Sequence, residues 1–178
     1  MPIAVELEFD EKSDRFIREI WQEMSEKEVS SFLFHSKSVP HITLGMFDIK
    51  KENGEKLVED IREFCTEISK IEIELSSIGV FKGDKNVLFL AATVTKDLLD
   101  LHDRFYEKLK IYRELAWEYY LPDIWVPHVS VAMDVDNDNL YKAMDIVLGK
   151  FKKTKATVEK TGIISVKPLK ALEHIVLK

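Results

Sequence analysis

Apolar and polar residues alternate from Pro2 to Phe9, which predicts a half-buried strand with Ile3, Val5, Leu7 and Phe9 on one face and Ala4, Glu6 and Glu8 on the other. The period then changes. Phe16, Ile17, Ile20, Trp21 and Met24 recur at helical spacing and predict a helix over 13–27, with Ser13 as its N-cap. VPHITLGMF reads as a strand entered through Pro40, and Asn53-Gly54 as a turn. Leu57, Val58, Ile61, Phe64, Cys65 and Ile68 form the stripe of a second helix, and 71–81 reads as a long strand that ends in a turn over Gly83 to Asn86. The order then repeats. An apolar strand over 87–94 precedes a long helix over 96–119, with Leu98, Leu101, Phe105 and Leu109 inward. WVPHVSVAM is a second proline-entered strand. A short helix capped from Asp136 to Asn139 and ending at Gly149 follows, then two strands around Lys167-Pro168.

Strand, helix, motif strand, helix, strand thus appears twice. The expected fold class is α+β, a duplicated bilobal architecture with halves of approximately 1–83 and 84–178. Each half is expected to form a small, mainly antiparallel sheet with flanking helices, the two motif strands facing each other across a central cleft. Composition changes this picture little: 46% apolar and 33% charged residues are ordinary for a soluble domain. No apolar run approaches the roughly 18–20 residues that span a bilayer, and the acidic start of the chain does not read as a signal peptide. The sole cysteine, Cys65, can form no internal disulfide, and the expected location is cytoplasmic. A net charge of −6 disfavours an extended nucleic-acid footprint, which needs a basic face, and suits a small or terminal phosphate-bearing substrate bound by a monomer.

The chemistry sits in the two heptapeptides VPHITLG (39–45) and VPHVSVA (126–132). Side chains alternate along a strand, so His41, Thr43 and Gly45 share one face, as do His128, Ser130 and Ala132. Each such face presents an imidazole, a hydroxyl about 7 Å further on and then a residue too small to fill space, which suits the lining of a polar cavity. Pro40 and Pro127 fix φ and hold the preceding valines extended, so the chain enters each histidine stiffly. A phosphate between two such faces meets two imidazoles and two hydroxyls. Near pH 7 one ring can be neutral and the other protonated, which supplies a general base and a general acid. Thr43 and Ser130 can donate to the non-bridging oxygens.

The paired motifs His41-Ile42-Thr43-Leu44 and His128-Val129-Ser130-Val131 resemble the two H-x-[T/S]-x signatures of the 2H phosphoesterases, which include 2′-5′ RNA ligase-like proteins and cyclic phosphodiesterases of RNA processing. The resemblance implies a pseudo-two-fold fold whose lobes exchange segments. It implies His41 and His128 as the acid–base pair and Thr43 and Ser130 as phosphate ligands. The activity expected is metal-independent hydrolysis of a cyclic phosphodiester, the 2′,3′-cyclic phosphate of a nucleotide or RNA end. Alternatives are 2′-5′ ligation or another phosphodiesterase activity at the same site, or a module that binds a nucleotide or RNA end without turnover. No cofactor is expected. No H-x-x-x-H, C-x-x-C or H-x-H spacing argues for a metal, and no G-x-x-x-x-G-K for a phosphate loop. Phe34, Phe47, Tyr120 and Trp125 lie near the motifs in sequence and are candidates for stacking a base or ribose. His102 sits in the inward register of its helix and reads as core. His35 reads as a surface residue, and His174 could face either way.

Overall fold

The structure is a computed structural model and describes residues 1–50 and 54–178, so Asn53 of the expected turn lies outside the described residues. The strands are β1 (Pro2–Phe9), β2 (His41–Asp48), β3 (Ile71–Phe81), β4 (Asn86–Ala92), β5 (His128–Val135), β6 (Thr154–Val166) and β7 (Leu169–Val176). The helices are α1 (Glu11–Glu26), α2 (Phe32–His35), α3 (Gly54–Thr66), α4 (Lys96–Lys108) and α5 (Leu140–Lys150). The fold is α+β. The strands pair antiparallel in the order β2-β1-β6-β3-β4-β5, with β7 on β6.

The two expected sheets are two arms of one ladder. Two long strands join them. β6 pairs with β3 over Thr154 to Val158 and then leaves it for β7 over Lys160 to Val166, while its other edge holds β1. β3 in turn leaves β6 after Leu75 and continues against β4 to Phe81. One arm is therefore β2-β1-β6-β7 and the other β3-β4-β5. Strands from both halves of the chain occur in each arm. The ladder curves so that its two end strands, β2 and β5, lie against each other without pairing. Those are the two motif strands.

The apolar face of β1 packs with α1 (Ile17, Ile20, Met24), α3 (Leu57, Ile61, Phe64) and α4 (Leu98, Leu101, Phe105) in one continuous core. The other face of β1 was expected to meet solvent but is buried too, because it lines the space between the arms. Helix α1 starts earlier than expected. Asp10, not Ser13, is the N-cap: the Ser13 backbone N–H and hydroxyl each donate to the Asp10 carboxylate at 2.9 Å. The expected helix over 96–119 stops at Lys108 and gives way to 3-10 turns over 110–115 and 118–120. The edge of β2 recruits this backbone: Ala116 bridges Phe47, and the Trp117 N–H donates to Met46 O at 2.8 Å. Gly149 lies within α5 rather than ending it. Lys167-Pro168 forms the β6–β7 turn through a cis peptide. Among the described residues no helix is long and apolar enough to cross a membrane.

Candidate active site

Both motif strands begin at their histidine, directly after Val-Pro. Proline has no N–H to give a ladder, so pairing starts one residue later. The valine carbonyl then turns towards the ring. His41 Nδ1 lies 2.6 Å from Val39 O, and His128 Nδ1 lies 2.6 Å from Val126 O. A carbonyl only accepts, so Nδ1 carries the hydrogen in both rings and Nε2 is left free to exchange a proton. The two copies share one posture.

The outer edges of the motif strands are capped by indoles that cross between the halves. Trp125 Nε1–H donates to Thr43 O, and Trp21 Nε1–H donates to Ser130 O, both at 3.0 Å. Each hydroxyl residue is thus held through its own carbonyl. The Thr43 hydroxyl also meets the Tyr120 phenol. His102 of α4 braces this corner: its ring stacks on Trp125 at 4.0 Å between centroids and 1° between planes, and its Nε2 faces Tyr120 O at 2.9 Å. Burial pushes His102 down to about 4, so it is a neutral structural ring, as its place in the helix register indicated.

The surroundings of the two motif histidines differ. His128 stands edge-on to Phe81 at 4.8 Å and beside Phe89 at 5.1 Å. Phe81 and Phe89 stack on each other, and Gly79 permits it, since a side-chain carbon there would overlap the Phe89 ring. Burial lowers His128 below the ordinary histidine value; its bond to Val126 acts the other way, and the charge of His41 lowers it further. The strands that carry the two rings, β2 and β5, lie against each other. His41 instead has the Glu6 carboxylate beside its Nδ1, at 3.4 Å.

His128 and Ser130 line a cavity of about 570 Å³ together with Phe81, Trp117, Tyr119 and Tyr120. Of the four aromatic residues singled out for stacking, Tyr120 lines it. Phe47 does not: it is 0% exposed and packs on Phe105 and Tyr106, because the bulge in β2 between Thr43 and Gly45 turns the residues beyond it from the His41–Thr43 face into the core. Trp125 is committed to Thr43 and His102 and does not line this cavity, so it is a brace rather than an open platform. Phe34 is 45% exposed on α2, edge-on to His35, away from this cavity lining. Sequence reasoning missed Phe81, Trp117 and Tyr119. Phe81 was legible, two residues from Gly79 at the end of β3; the other two were hidden in the supposed helix. Glu6, Glu8 and His174 were also missed as site residues. Among the described residues no three histidine, cysteine or acidic side chains form a metal-binding group.

Residues 9–167 match the model of the 2′-5′ RNA ligase superfamily, and the chain belongs to that family. A relative from Bacillus licheniformis, provisionally named a phosphoesterase, is 28% identical over 100 residues, 56% of this chain and 55% of its own length. The match thus spans little more than half of that relative. Among solved structures, TT0787 of Thermus thermophilus superposes with a TM-score of 0.64 at 15% identity, over 99% of this chain and 98% of its own. E. coli LigT complexed with 3′-AMP superposes with a TM-score of 0.63 at 12% identity, over 100% of this chain and 99% of its own. These likenesses show the 2H phosphoesterase fold.

Proposed function

We propose that this chain is a phosphoesterase that opens a cyclic phosphodiester, with His41 and His128 as its acid–base pair. The substrate class is a 2′,3′-cyclic phosphate on a nucleotide or an RNA end. The observation that carries the reading is the shared posture of the two rings: Nδ1 on the valine carbonyl, Nε2 free, on the two end strands that meet across the cleft. The nucleotide in the LigT structure supports a small nucleotide as the ligand class.

His128, held below the ordinary histidine value by its apolar cage, is the neutral ring at pH 7 and serves as general base. It takes a proton from water as the water oxygen attacks phosphorus. His41 gives its proton to the ribose oxygen that leaves, so one P–O bond forms, one breaks, and a phosphomonoester remains. The Thr43 hydroxyl, beside the Tyr120 phenol, donates to one non-bridging oxygen, and Ser130 donates to the other. With a terminal hydroxyl in place of water and the roles unchanged, the same pair opens the cyclic phosphate into a new phosphodiester, and the family's name favours keeping ligation as the second reading.

Turnover of the four nucleoside 2′,3′-cyclic monophosphates, followed by phosphorus NMR, tests the proposal. His41→Ala and His128→Ala should each lose about 10²–10⁴ in kcat. Wild-type turnover in both variants would overturn it, as would activity abolished by a chelator and restored by zinc. Binding of the same compounds without turnover would make the chain a nucleotide-binding module instead.

A further inference from the structure

The face of β1 that looks between the arms carries two carboxylates, Glu6 and Glu8, at 6% and 7% exposure. Glu6 lies 3.4 Å from His41, and His174 of β7 lies 2.8 Å from Glu8. His41, Glu6, Glu8 and His174 thus form a string across the β2-β1-β6-β7 arm. The string is built into the backbone. Gly162 of β6 stands in register between Glu6 and His174, and a side-chain carbon there would overlap the Glu8 carboxylate.

Two buried carboxylates beside a phosphate site are costly. Burial pushes Glu6 above the ordinary carboxylate range, His41 pulls it back, Glu8 pushes it up again and His174 pulls it down. Their negative charge also repels an anionic substrate. The other charged or titratable groups around the string do not remove this cost: Lys37 and Lys170 line the same small cavity as Glu6 and His174, Lys160 stands opposite Glu8 in the ladder, and Tyr120 and His128 feel the charges of Glu6 and His41. What the carboxylates do gain is His41. Among the described residues no such pair stands beside His128, which has phenylalanines instead.

We propose that Glu6, steadied by the Glu8–His174 pair, is the positioning residue of His41: it fixes the Nδ1 edge of the ring and supplies the negative charge that offsets the positive charge of the proton donor. This rests on the two-histidine reading above and explains why the two otherwise matched rings divide into donor and acceptor.

Glu6→Gln keeps the shape and removes the charge. The expected result is a fall in kcat of about 10- to 100-fold with KM within about twofold, together with a rise in Tm of ~2–4 °C, because a buried charge has been taken out. His174→Gln, at a half-exposed position that tolerates change, should lower kcat in the same sense but less. An unchanged kcat in Glu6→Gln would overturn the proposal. So would a fall in kcat accompanied by a fall in Tm, which marks a merely structural residue. Nitrogen-15 NMR of the His41 ring separates this failure from failure of the function itself. If wild type turns over no cyclic phosphate, the two-histidine reading falls alone, and ring shifts that change between wild type and Glu6→Gln still uphold the positioning role. Identical ring shifts in the two proteins would sink it.

Discussion

A valine carbonyl two residues before each motif histidine decides which ring nitrogen is left free. The reading of Val-Pro-His as a stiff entry anticipated a restrained imidazole. It did not identify the acceptor, because the 2.6 Å contact depends on a ring rotation that no spacing encodes. The difference in surroundings on which the proposed division of labour rests was equally hidden, since Phe81 and Phe89 on one side and Glu6 on the other are all distant in sequence from the histidines they touch. Two residue-level tests follow. Removing Phe81 exposes His128 to water and relieves the largest cause of its lowered value. A base must be neutral to act, so in Phe81→Ala the acidic limb of kcat/KM should move to higher pH, measured from pH 5 to 9 on a cyclic phosphate. His102 bears on stability rather than rate. Folded, it takes a proton only near about 4, whereas an unfolded histidine does so near about 6.5. Between those values the unfolded state binds more protons, so stability falls as pH drops through the window, by roughly 3 kcal/mol in the limit. Urea denaturation at pH 7 and pH 4.5 should show the loss, and His102→Gln should show less of it.

At the scale of elements, the motif strands are the two ends of the ladder, and an end strand leaves backbone groups without partners. Here those groups are used. The outward carbonyls of Thr43 and Ser130 accept the Trp125 and Trp21 indoles, and Met46 accepts from Trp117. This same demand ended the helix expected over 96–119: the apolar stripe through Leu109 was legible, but the pull of the β2 edge on residues 116 and 117 was not. Strand β3 was legible to the residue, because its 71–81 run is bounded by a break on each side. Replacing Trp21 or Trp125 with phenylalanine keeps an aromatic ring and deletes the donor. Each replacement should cost about 1 kcal/mol for the carbonyl left unpaired, seen as a Tm lower by ~2–4 °C. Each should also lower kcat, since the hydroxyl of the capped residue loses its anchor. An unchanged melting curve in both would show that water serves those carbonyls as well as the indoles do.

For the whole molecule, the duplicated order of elements was visible along the chain, but the way the duplicates pair was not, because strand pairing is a non-local choice. The pairing places residues of both halves in each arm. Cutting between residues 83 and 84 would strip β6 from β1 and separate β3 from both β6 and β4. The fragment 1–83 would keep only the β1–β2 pairing, with β3 left alone, and 84–178 would keep β4–β5 and β6–β7 as isolated two-stranded pairs. Isolated two-stranded hairpins are marginal in water, and the core that covers β1 is shared across the cut. Neither fragment should therefore show a cooperative thermal transition by circular dichroism, while an equimolar mixture should regain one along with turnover of a cyclic phosphate. Each half carries one motif histidine and one motif hydroxyl, so the mixture alone can hold the proposed acid–base pair. A cooperative transition in either fragment by itself would mean that the duplicated units are separate domains joined in tandem, and that the cleft is a contact between them rather than a product of one shared ladder.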